Sequence, residues 1–217
     1  EDPKYGNPIK VSYKNMKISY DQCSSVMEYY EIMHKIPMEI KNKPLVIGEL
    51  GAGYGKLTYA FLNANNNYKY LIFDIPPTLY LAQTYLSKIY SKNKIMKFRH
   101  FDNFEDIKNE FEKSQICFFT ANQLKLLPEN IIDLFINISS LHEMREDQIK
   151  NFHDLINRVT KGFFYSKQYP NIIKMPKDLS GAYEISFDDY PIPKNWEIIS
   201  KNTSKINPRF VNILFKI

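Results

Sequence analysis

The chain has 217 residues, 44% hydrophobic and 24% charged, with a formal net charge of +5. That length and apolar share suit one globular domain with a short extension and exclude a disordered, collagenous or low-complexity chain. The basic residues are 25 Lys against 4 Arg and are scattered, which argues against nucleic-acid binding, and no apolar run approaches the roughly 18 residues of a membrane span.

Residues 1–20 are polar and Tyr-rich, with Pro3 and Pro8, and read as an irregular arm. From Gln22 to Ile36, the residues Cys23, Val26, Met27, Tyr30 and Met33 recur at helical spacing. Pro44–Leu50 is a short apolar run that ends in glycines and predicts a buried strand. A helix follows over Tyr54–Asn63, with Leu57, Ala60, Phe61 and Ala64 inward. Tyr68–Phe73 predicts a second strand ending at Asp74, and Pro76 and Pro77 suit the first turn of a helix carrying Leu79, Ala82, Leu86 and Ile89. The stretch 91–114 is ambiguous, with Ile95–Phe101 readable as a strand and Phe104–Phe111 as a helix. Strands are predicted at Ile116–Phe119 and Ile131–Ile138. A helix over Glu146–Thr160 presents Ile149, Phe152, Ile156 and Val159, and Gly162 is read as its end. A strand at Gly162–Ser166, a loop with Pro170, Pro176, Pro191 and Pro193, and strands at Trp196–Ile199 and Phe210–Phe215 complete the chain.

Strands alternating with helices predict an α/β fold: a Rossmann-like, doubly wound, mostly parallel seven-stranded sheet with an antiparallel edge hairpin and an N-terminal helical extension. Residues 1–43 form the arm and helix, readable as a lid or as a docked helix, and 44–217 form the sheet domain.

The most informative stretch is Glu49-Leu50-Gly51-Ala52-Gly53-Tyr54-Gly55, between a predicted strand and a predicted helix. Glycines there let the backbone turn tightly beside a ligand, and the helix amino end adds unpaired N–H groups. Asp74, nineteen residues after Gly55, ends the next strand and reaches the same crevice, where a carboxylate can accept both hydroxyls of a ribose. Lys56 stands where a dinucleotide fingerprint needs its third glycine. Leu50 and Leu57 stand where a phosphate loop needs Gly and Ser or Thr. Glu49 would repel a pyrophosphate and attract an ammonium. S-adenosylmethionine combines a ribose, an adenine and an ammonium and has no phosphate.

The Glu49–Gly55 loop with Asp74 resembles the first two motifs of class I S-adenosylmethionine-dependent methyltransferases. More narrowly, Asp74-Ile75-Pro76-Pro77-Thr78-Leu79-Tyr80 and Ser139-Ser140-Leu141-His142-Glu143-Met144 resemble the bacterial sugar O-methyltransferase family, the likeness running over roughly residues 20–217. The resemblance implies S-adenosyl-L-methionine as cofactor, S-adenosyl-L-homocysteine as product, and a carbohydrate hydroxyl as methyl acceptor. It places Glu49, Gly51, Ala52, Gly53, Gly55, Asp74, Ile75, Ala121, Asn122, Gln123 and Asn137 around the cofactor. Ser140, Lys167, Gln168 and Tyr190, with Trp196, fall on the acceptor side. His142 is the best general base by residue type and position, with Glu143 orienting it or serving instead. His153 ranks below it as a packing residue. No metal is expected, the partner is a small molecule or glycan, and a homodimer is admitted. A cytoplasmic setting is the default, because no signal-peptide pattern opens the chain. The rival readings are a nicotinamide-dependent oxidoreductase on a similar fold and a cofactor-binding module without turnover.

Overall fold

Strands apolar on both faces are stable only between two helical layers, and the central runs of this chain are of that kind. The computed structural model describes residues 1–174 and 183–217. In chain order its regular elements are β1 (Lys10–Tyr13), β2 (Met16–Ser19), α1 (Tyr20–Lys35), α2 (Met38–Lys41), β3 (Val46–Leu50), α3 (Lys56–Ala64), β4 (Lys69–Asp74), α4 (Pro76–Ile89) and β5 (Ile95–Met96). There follow α5 (Lys108–Lys113), β6 (Ile116–Thr120), β7 (Ile132–Ile138), α6 (Glu146–Val159), β8 (Thr160–Gln168), β9 (Asn171–Lys174), β10 (Tyr183–Ser186), β11 (Glu197–Thr203) and β12 (Val211–Lys216).

The central sheet has eight strands in the order β11-β12-β8-β7-β3-β4-β6-β5. It has one strand more than predicted, because the ambiguous stretch contributes the two-residue β5, parallel to β6 at the edge. β3 pairs in parallel with both β4 and β7. The connections therefore turn opposite ways on either side of β3, and the crevice of a doubly wound sheet opens at its carboxyl end. β12 runs antiparallel to β8 and β11, which is the expected edge hairpin.

Alternation along each strand divides the core in two. One side gathers Phe61, Leu79 and Leu86 from α3 and α4, with Ile32 and Met33 of α1, over Ile47, Tyr70, Ile72, Ile136 and Tyr165. The other gathers Phe111, Ile149 and Ile156 of α5 and α6 under Leu71, Phe73, Phe119, Phe135, Phe164 and Phe215. Five of these phenylalanines form a row across the sheet, with stacked pairs Phe119–Phe73 at 5.3 Å, Phe73–Phe135 at 5.9 Å and Phe164–Phe215 at 6.0 Å. Gly48 of β3 leaves the gap that Phe135 occupies, since a Cβ there would lie 3.0 Å from that ring and 2.9 Å from Ile132.

Several local expectations are corrected. The arm contains a ribbon, β1–β2, turned by Lys14 and Asn15 with φ of 46° and 63°, the left-handed pair that a two-residue hairpin requires. Gly162 does not end a helix: α6 passes straight into β8, and a side chain at Gly162 would strike the Asp133 carbonyl of β7. Of the helical stripe read in α1, only Met33 is buried, while Val26, Met27 and Tyr30 are exposed; Ser24, Ser25, Glu28 and Ile32 face inward instead. In the Pro-rich loop Pro176 lies outside the described residues.

Candidate functional site

β3 delivers Glu49 to the carboxyl edge, and the chain then bends through Gly51, Gly53 and Gly55 with φ of +76°, +60° and +85°. Only glycine takes up such values without strain. Gly51 donates its N–H to the Phe73 carbonyl (2.8 Å), and a Cβ there would collide with Ser140. Gly55 is the N-cap of α3. Gly53 donates to Asp74 Oδ2 (3.0 Å), and nothing lies within 4 Å of where its Cβ would be. The loop and the acid of the next strand are thus bonded to each other.

Asp74 is buried at the tip of β4, and its Oδ1 accepts the Ile75 N–H at 2.7 Å. Burial raises its pKa, the two backbone N–H groups oppose that, and the charge of Glu143 adds to the rise. Glu49 is 4% exposed and accepts the Tyr70 hydroxyl at 2.7 Å. Desolvation pushes its carboxyl up to about 7 against the pull of Tyr70 and Lys56. Glu49, Gly51, Ala52, Gly53, Lys56 and Leu57 line a cavity of about 160 Å³ with Ile138.

The opposite wall of this cavity is α1, through Ser24, Ser25 and Glu28. Asp21 fastens the start of that helix to the loop, accepting from the Tyr54 hydroxyl (3.0 Å) and from Lys56 Nζ (3.2 Å). Glu28 is buried against Lys167, which ion-pairs with it, and accepts the Tyr165 hydroxyl at 3.2 Å. Desolvation raises the Glu28 pKa against the opposing charge of Lys167. Serine and glutamate at inward positions of a helix break the apolar periodicity, and that interruption was the available signal for these wall residues.

At the end of β7, Asn137 is fully buried and donates to the Leu50 carbonyl (2.9 Å) and to Ser140 Oγ (2.6 Å). Ser139 adopts φ +58° and donates its N–H to the Lys167 carbonyl (2.8 Å). The reversed backbone leads into a single turn carrying half-buried His142 and exposed Glu143. His142 Nδ1 lies 3.2 Å from Gln168 Oε1, and its ring meets the Tyr169 ring edge to face at 5.0 Å.

Ile75 stands 60% exposed just beyond Asp74. Ala121 is half-buried and Asn122 exposed at the end of β6, whereas Gln123 braces that turn, accepting from Thr120 N–H (3.0 Å) and donating to the Arg99 carbonyl (2.9 Å). Of the residues expected on the acceptor side, Ser140 stands beside the loop, while Lys167 and Gln168 are buried, their polar atoms engaged by Glu28 and Asn137. Tyr190 packs on Phe187, and Trp196 packs on Phe164, Phe215 and His153, all in the core. The His153 ring bonds the Pro191 carbonyl (2.9 Å). Among the described residues no cluster of His, Cys, Asp or Glu is placed to hold a metal ion, and no helix is long and apolar enough to cross a membrane.

No protein-family model and no curated protein matches the chain. Solved structures do. The chain superposes on the mitomycin 7-O-methyltransferase MmcR with a TM-score of 0.59 and 11% identity, over 91% of its own length and 54% of that enzyme's. It superposes on the glycopeptide N-methyltransferase MtfA complexed with (S)-adenosyl-L-methionine with a TM-score of 0.57 and 10% identity, covering 88% of this chain and 86% of that one. This chain has the class I methyltransferase fold. A third such methyltransferase, the magnesium protoporphyrin IX enzyme ChlM from Synechocystis PCC 6803 with bound SAM, gives 0.54 at 14% identity, covering 91% of this chain and 79% of that one. The chain thus spans about half the length of the mitomycin methyltransferase and most of the other two.

Proposed function

We propose that the chain is an S-adenosylmethionine-dependent methyltransferase that moves a methyl group to a hydroxyl of a small molecule, with a carbohydrate or glycan precursor as the acceptor class. One observation carries the reading. Glu49 and Asp74, from adjacent strands, meet at one glycine loop: Glu49 lines its cavity beside Glu28, and Asp74 is bonded to the loop through Gly53.

The residues present fit that cofactor, which supplies, when bound, a methyl carbon made electrophilic by a sulfonium. Glu49 suits the ammonium: it is a buried carboxyl on the cavity wall, and a cation beside it offsets its desolvation. Each Asp74 oxygen accepts one backbone N–H and keeps acceptor capacity for a ribose hydroxyl. Ile75 offers an exposed apolar surface to the adenine, with Ala121 and Asn122 at the facing corner. Gly53 keeps the loop free of a side chain where the ligand would pass. His142 takes the acceptor's hydroxyl proton as the new bond forms, with Glu143 beside it. The carbohydrate assignment rests on the Asp74–Tyr80 and Ser139–Met144 segments, and contacts to the acceptor are assigned to Ser140, His142 and Glu143.

Calorimetric titration with S-adenosylmethionine and S-adenosylhomocysteine tests the reading: both bind, and Asp74→Ala weakens them about 30-fold, or about 2 kcal/mol for hydrogen bonds to a charged group. Absence of binding in the intact protein, or unchanged affinity in the variant, would reject the cofactor assignment or the ribose role respectively.

A further inference from the structure

The hydrogen bonds beneath His142 fix directions as well as distances. The Leu50 carbonyl only accepts, so the Asn137 atom 2.9 Å from it is the amide nitrogen. Asn137 Oδ1 is then an acceptor; it takes the Leu141 N–H (3.4 Å) and faces Gln168 at 2.6 Å. The Gln168 atom at that contact is therefore its nitrogen, and the remaining Oε1 is an acceptor aimed at His142. It lies 3.4 Å from the His142 backbone N–H and 3.2 Å from ring Nδ1. Reversing the Gln168 amide would set a donor against that backbone N–H and an acceptor against Asn137 Oδ1, so two separate contacts reject the flip. Facing that acceptor, Nδ1 makes a hydrogen bond only when it carries hydrogen, since a bare Nδ1 would set one lone pair against another.

We propose that Gln168 is a positioning residue that holds the neutral His142 ring in its Nδ1–H form, so that the ring takes up its next proton at Nε2. Gln168 is fully buried and its amide is held at both ends, so the direction set at Leu50 is passed intact to the ring. The relay begins at the carbonyl preceding Gly51, which couples the orientation of the base to the shape of the glycine loop. Gln168 thereby leaves the acceptor-contacting role read from the sequence and acts through His142. The inference deepens the proposed function, because it rests on His142 being the base.

The test is nitrogen-15 spectroscopy of the labelled histidine rings in the whole chain, at a pH where His142 is neutral and with His142→Gln used to assign its signals. The expected wild-type ring shows its hydrogen on Nδ1 and none on Nε2. Gln168→Met, which keeps the bulk and lacks a strong acceptor, should let both ring forms populate. A wild-type ring bearing its hydrogen on Nε2 overturns the proposal, as does a folded Gln168→Met protein whose ring stays wholly in the Nδ1–H form. Where the variant does not fold, the wild-type ring alone decides. S-adenosylmethionine added to the same sample separates the two readings. Failure to bind removes the methyltransferase proposal and leaves the ring assignment standing; binding with the opposite ring form removes only the role of Gln168.

Discussion

Glu49 sits where sequence spacing put it, but its state is a property of the fold. Its carboxyl is raised from an ordinary 4.5 to about 7 because β3 carries it into a dry sheet edge. Below pH 4.5 the proton is held in folded and unfolded chains alike, and the contribution to stability is complete. Between 4.5 and 7 the unfolded chain releases its proton while the folded one retains it, so stability falls as pH rises. The loss levels off above 7 at roughly 3 kcal/mol. Glu49→Gln should remove this segment, and urea midpoints measured across that window should be flatter in the variant; parallel curves would assign the slope elsewhere. A cationic ligand favours the ionised carboxyl, so cofactor binding near pH 7 should release protons, measurable by calorimetry in buffers of different ionisation heat. The acid-then-glycines pattern and Asp74 were legible because each is required locally by a turn or a strand end. Tyr70, the hydroxyl donor to Glu49, was not, since a tyrosine in an apolar strand reads as ordinary core.

At the scale of elements, α1 is where periodicity misleads. Its apolar residues Val26, Met27 and Tyr30 point outward, and its inward face carries Ser24, Ser25 and Glu28. A helix that closes a polar cavity must turn a polar stripe to the protein, so the usual rule of apolar-inward applies only to its last turns, at Ile32 and Met33. The helix is thus both docked on the sheet and a wall of the cavity. Glu28→Ala would leave the buried Lys167 without its counter-charge and should cost about 3–5 kcal/mol. Replacing Glu28 and Lys167 together by Met should recover most of that loss, because the pair's desolvation is removed along with its attraction. Chemical denaturation of Glu28→Met, Lys167→Met and the double variant checks this; additive losses would show that the pair is not coupled.

Across the whole molecule, the mostly parallel sheet and the crevice at its carboxyl end follow from alternating strands and helices, and that much was readable from hydrophobic runs. Features set by distant neighbours were not. Gly48 lies in the strand run ahead of the loop motif, and its lack of a side chain serves Phe135 and the row of stacked rings. Gly162 looked like a helix stop, yet it admits the Asp133 carbonyl of the neighbouring strand. Gly48→Val should overpack this row and cost about 2 kcal/mol, lowering Tm by roughly 4–8 °C for a chain of this size, as calorimetric scanning would show. Gln168 likewise read as a cleft residue until the bonds to Asn137 placed it underneath His142.

The ion pair between Glu28 and Lys167 joins positions 139 residues apart. During synthesis the first helix therefore leaves the ribosome long before its counter-charge has been translated. Glu28 has no counter-charge until β8 exists, and the pocket can assemble only after that strand has been translated. A nascent chain halted before Lys167 should lack the receptor site altogether, which makes ligand capture a report that synthesis has passed β8.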